Sequence, residues 1–132
     1  MIQVYFLSIL CNALSGFVLL SGGPKTESVP KDLFNNPSFR FVLGIVTAVV
    51  GLLKLLSVVP GNYPVVGDIV PAAGGLAAGA MLIYEFYKEH ATITSPSVER
   101  VSAFASARQR IIAGVSIATA VLHFLFPTAL FL

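Results

Sequence analysis

Three titratable side chains, Lys54, Asp68 and His123, stand in stretches that are otherwise apolar. An unpaired lysine or aspartate at the centre of a bilayer costs about 2.5 to 3.5 kcal/mol, so charges in such surroundings call for a partner or a task. A base, an acid and an imidazole brought together could bind a proton or a small anion, the imidazole being the side chain that titrates nearest neutral pH. Asn12 and Ser8 add two uncharged polar groups in the first apolar stretch. The competing reading is structural. Lys54 and Asp68 flank a tight turn, Pro60-Gly61-Asn62-Tyr63-Pro64, and an ion pair there could pin two helices in register.

Catalytic chemistry finds little support. Cys11 is the one cysteine, no second carboxylate lies near Asp68, and the two histidines show no metal-ligand spacing, so we expect no enzyme, no metal and no cofactor. The net charge of +2 comes from a few loop residues rather than a basic face, so no nucleic-acid partner is expected.

The elements that must position these residues follow from composition. Of 132 residues, 56% are hydrophobic and 11% charged, with a mean hydropathy of +0.88; a soluble domain carries roughly 25% charged residues. The expectation is an all-α, polytopic membrane protein. Its 132 residues form one domain of four antiparallel spans, each needing about 20 apolar residues. Met1 to Gly23 has no Lys or Arg to make a signal-peptide n-region and reads as a retained helix, covering Ile2 to Ser21 and stopping at Gly22-Gly23-Pro24. A polar connection follows, with one interfacial helical turn after Pro30. Asn36 or Ser38 caps a second helix from Phe39 to Val59. The short turn forces a hairpin with a third helix, Val65 to Tyr87, kinked at Pro71. Ser95, with Pro96 and Glu99, starts an amphipathic helix before the fourth span, Ile111 to Phe131; it either lies on the membrane or extends that span into water.

Small and polar stripes at helical spacing mark the faces that touch protein in a bilayer, where water does not drive association. They run Ser8, Asn12, Ser15 on the first helix and Gly44, Thr47, Gly51, Lys54 on the second. Asp68, Ala72, Gly75, Gly79 mark the third, and Ala113, Ser116, Ala120, His123 the fourth, with Gly114 counted among the packing glycines. At about 1.5 Å per residue, Asp68, Lys54, Ser8, His123 and Asn12 fall in one layer roughly 8 to 16 Å from the helix ends nearest the middle turn.

Lys25, Lys31 and Arg40 in and beside the first connection, and Lys88, Arg100, Arg108 and Arg110 in the third, place connections 24–38 and 88–110 in the cytoplasm and both termini outside the cell membrane. The reading of function is an oligomeric transporter or channel-like protein with Lys54, Asp68 and His123 in its polar layer. The alternative is a non-catalytic accessory or assembly subunit of a larger membrane complex, with Lys54-Asp68 as a clamp.

Overall fold

The structure, a computed structural model, describes residues 2–21, 31–56, 69–92 and 95–126. Among these the regular structure is all helical: α1 (Ile2–Ser21), α2 (Lys31–Phe34), α3 (Pro37–Leu56), α4 (Ile69–His90) and α5 (Pro96–Leu125).

Local chemistry explains the boundaries. Asn36 accepts from the backbone N–H groups of Ser38 (2.9 Å) and Phe39 (3.4 Å) through Oδ1. It is therefore the N-cap of α3, and Pro37, which has no N–H to lose, takes the first helical position. This moves the helix start two residues before the expected Phe39. Ser95 caps α5 as expected, its Oγ accepting from Val98 N at 3.3 Å with Pro96 following. The expected turn after Pro30 is α2. Pro71 stands in the first described turn of α4.

The amphipathic segment is not a separate surface helix. Ser95 to Phe126 contains no proline after Pro96, and Ala103, Ala105 and Ala107 favour helix, so nothing breaks the segment from the span that follows. The two are one helix of 30 residues, the second of the two alternatives.

α1 packs against α3, α4 and α5, and α4 packs against α1, α3 and α5. Between them lies a core of Val18, Leu19, Leu43, Ala78, Met81, Leu82, Ala105 and Ala113. The polarity of the molecule is inverted relative to a water-soluble protein. Ser8, Asn12, Ser15, Thr47, Lys54, Ser116, Thr119 and His123 are buried, whereas Leu10, Val42, Leu52, Val115 and Phe124 are exposed. Large apolar side chains turned outward around polar ones turned inward suit a lipid surround. Among the described residues three helices, α1, α3 and α4, are long and apolar enough to cross a membrane. The apolar part of α5 described here, Ile111 to Leu125, would cover about 22 Å at about 1.5 Å per residue, short of the roughly 30 Å of a bilayer core. The rest of the expected fourth span, like the turn at Pro60-Gly61, lies outside the described residues.

The glycine contacts follow the hairpin. Gly44 and Gly79 are equally distant along the chain from Gly61-Asn62, and they meet: a Cβ on Gly79 would lie 2.7 Å from Gly44 O and 2.8 Å from Ala48 N. Gly51 meets α4 the same way, 3.1 Å from Ala72 O. Gly75 makes room for Asn12, whose Oδ1 would lie 2.7 Å from an added Cβ. Gly114 is the exception. An added Cβ there has no neighbour within 4 Å, because one step from the packed Ala113 turns a residue by about 100° onto the outer face. The tight glycine between α1 and α5 is instead Gly16, a position the stripes did not include; its added Cβ would sit 2.8 Å from Ala113 O.

Candidate functional site

α1 is the element on which the polar layer is hung. Tyr5, Ser8, Asn12 and Ser15 recur at intervals of three and four, which places them on one helical face, turned toward the other three long helices.

Three of them, Tyr5, Asn12 and Ser15, bond to neighbouring helices, and Ser8 is buried beside them. Tyr5 donates its hydroxyl to His123 O on α5 at 2.5 Å. Asn12 donates from Nδ2 to Pro71 O on α4 at 2.9 Å, and its own carbonyl accepts from Ser116 Oγ of α5 at 3.2 Å. Ser15 and Thr47 of α3 lie 2.6 Å apart, oxygen to oxygen. Since Thr47 gives its one hydroxyl proton to Leu43 O at 2.7 Å, Ser15 is the donor of that pair. Thr119 turns its hydroxyl back onto Ser116 O at 2.9 Å. Such bonds satisfy buried polar groups that would otherwise carry the full cost of leaving water.

The two titratable members converge on one ring. Lys54 is 4% exposed and His123 1%. The Lys54 ammonium lies 5.3 Å from the centre of the Tyr5 ring, within cation–π range, and the His123 ring is tilted against the same ring at 4.6 Å between centroids. Tyr5 thus joins an ammonium from α3 and an imidazole from α5. It was not among the expected residues, although it stands three before Ser8 on the same face. Of the residues expected in the layer, Ser8, Asn12, Lys54 and His123 are all buried. Asp68 lies outside the described residues, and the expected Lys54–Asp68 pair with it.

A second polar centre lies at the other end of the bundle. Arg40, in the first turn of α3, donates from Nε to Glu85 Oε2 of α4 at 3.2 Å and makes a closer salt bridge to the same oxygen through Nη2. Its Nη1 donates to Val18 O and to Phe34 O, each at 3.4 Å. The last four carbonyls of a helix have no partner within it. Two of those at the end of α1 are met from outside, Val18 O by Arg40 and Leu19 O by Gln109 Nε2 at 3.1 Å. α1 has no basic residue in its own last turn, so Arg40 supplies the positive charge that complements its dipole. Sequence reading placed Arg40 with the loop charges; the hairpin register was the signal that could have paired it with Glu85.

Among the described residues no group of three His, Cys, Asp or Glu side chains could hold a metal ion. Cys11 is buried on α1.

A protein of Treponema pallidum (strain Nichols) described as uncharacterized is 29% identical to this chain over 133 residues, covering the whole of both. No solved structure matches. A protein-family model matches residues 1–123, nearly the full chain, and the chain belongs to the family which that model describes.

Proposed function

We propose that this is a multi-pass membrane protein of four crossings that binds a proton or a small anion at the Lys54–Tyr5–His123 centre and transports it. The observation that carries the reading is the burial of an ammonium and an imidazole against one tyrosine ring, inside a molecule whose outer faces are apolar. Intramembrane ionisable residues are functional by default. An ion pair used only to hold helices together is replaceable, both partners at once, by apolar side chains of similar volume, whereas a titrating site is not. The bundle is thin, and the close backbone contact of Gly44 with Gly79 fills its middle, so a second copy of the chain would complete the wall of a pathway. The accessory-subunit reading draws on a different observation: the acceptors of Tyr5, Asn12 and Ser116 are backbone carbonyls, as a registry device would use.

Flux separates the two. The purified chain in vesicles should carry protons, read by an entrapped pH dye, or chloride, read by a halide-quenched dye. Lys54→Met should abolish that flux while the protein still folds and melts cooperatively. A folded Lys54→Met variant with undiminished flux, or a parent protein that carries neither ion, would remove the transport reading and leave the clamp.

Orientation belongs to the same proposal. Arg40, Lys88, Arg100, Arg108 and Arg110 gather at the end where α4 finishes and α5 begins, away from Lys54, and the positive-inside rule puts that end in the cytoplasm with both termini outside. With Cys11 replaced by serine, a cysteine at Asn62 should react with an impermeant thiol reagent in intact cells and one at Ser97 should not. The reverse pattern would invert the orientation.

A further inference from the structure

Where α1 ends at Ser21, α4 continues to His90 and α5 has already begun at Pro96, so among the described residues α4 and α5 leave a gap between them beyond the last turn of α1. The opening is a cleft of about 540 Å³, within the range of about 300 to 1,000 Å³ typical of small-ligand sites. Arg40 and Glu85 stand on its wall, with Lys88 and Glu89 at its mouth and Tyr84 and Gln109 at its sides.

The charges are two positive and two negative. A ligand of one sign would meet as many like charges as opposite ones and gain little. A ligand carrying both signs can pair with all four. Both guanidinium contacts of Arg40 end on Glu85 Oε2, and Oε1 is the oxygen that a ligand's ammonium would meet. Arg40 is held by Glu85 and by two backbone carbonyls, so the buried part of the cleft is fixed before any ligand arrives. Tyr84 is also held, donating its hydroxyl to Val98 O at 3.3 Å. Aromatic and cationic residues together, here Tyr84, Tyr87 and Lys88, are the composition of a helix end at headgroup depth.

We propose that this cleft binds an ammonium–phosphate zwitterion, the chemistry of a phosphoethanolamine group. The phosphate sits on the side of Lys88 and Arg40, and the ammonium donates to Glu89 and Glu85. The site is independent of the transport reading and lies at the opposite end of the bundle from Lys54.

The test is a thermal melt of the full chain in detergent micelles doped with lipids that share acyl chains and differ in headgroup. Phosphatidylethanolamine should raise the melting temperature above phosphatidylcholine, because a trimethylammonium has no N–H to donate. Titrating the lipid should give saturable binding, weakened about tenfold by Glu89→Gln or Lys88→Met, each of which removes one charge from the pairing at an exposed position that the fold does not need. Free phosphoethanolamine added to phosphatidylcholine micelles identifies the source: an equal shift means the site takes the soluble zwitterion, a shift only with the lipid means it takes the headgroup from the bilayer. Equal melting with the two lipids and no response to the free compound would overturn the proposal. So would a phosphatidylethanolamine effect that survives in the Lys88→Met/Glu89→Gln double variant.

Discussion

Replacing Arg40 by methionine is expected to lower the stability of the folded chain in detergent by about 3 kcal/mol, the scale of breaking a largely buried ion pair from one side. Three losses coincide. Glu85 keeps a carboxylate that no longer has its guanidinium, Val18 O and Phe34 O lose a donor, and the end of α1 loses the only positive charge bonded to its carbonyls among the described residues. Glu85→Gln should cost clearly less, about 1 kcal/mol, because glutamine retains an oxygen that can accept from Nε and Nη2, while Arg40 keeps its two backbone acceptors. The double change should cost less than the two single changes added, with a coupling on the order of 1 kcal/mol. Equilibrium unfolding of the four proteins measures all three differences. If Glu85→Gln proves as damaging as Arg40→Met, the ion pair alone carries the effect and the capping of α1 contributes nothing.

The contrast between the two polar centres shows what the sequence exposes and what it hides. A lysine among leucines or a histidine among valines stands out against its neighbours, and Lys54, His123, Asn12 and Ser8 were legible for that reason. Arg40 and Glu85 sit near the ends of their helices, where charges are ordinary, and their pairing appears only once α3 and α4 are laid antiparallel. In that register Gly44 meets Gly79, Gly51 meets Ala72, and Arg40 lies within a turn of the level of Glu85. The hairpin argument that suggested a pair beside the turn applies with equal force at the open end. Tyr5 was hidden for a different reason. A tyrosine near a helix terminus reads as an interfacial aromatic, and only the positions of Lys54 and His123 give its ring an ammonium and an imidazole as neighbours. Helix starts were legible because their signals are local: Asn36 before Pro37, Ser95 before Pro96. The joining of the amphipathic segment to the last helix was legible only as one of two alternatives, since charge along Glu99 to Arg110 suggests a boundary that the backbone, free of glycine and proline there, does not make.

Leucine at Gly79 should do the most damage of any single change on the helix faces, enough to prevent the hairpin from closing. Even a methyl group there would lie 2.7 Å from Gly44 O and 2.8 Å from Ala48 N. Both neighbours are backbone atoms of α3, so no rotamer change relieves the contact and the whole helix must move away. Overpacking costs about 1 to 3 kcal/mol when side chains can adjust, so alanine is expected at the upper end of that range and leucine beyond it. Separating α3 from α4 at this level also strains Arg40 against Glu85 one turn further on, which makes the two sites non-additive. Gly114 supplies the control. Its added Cβ meets nothing within 4 Å, and alanine is favoured over glycine in a helix by about 0.8 to 1.0 kcal/mol, so Gly114→Ala should raise the melting temperature or leave it unchanged. Thermal melts of Gly79→Ala, Gly79→Leu and Gly114→Ala in one detergent test the pair of expectations. A Gly79→Leu protein that melts like the parent would mean that this face of α4 looks onto lipid, and the packing of α3 on α4 described above would be wrong.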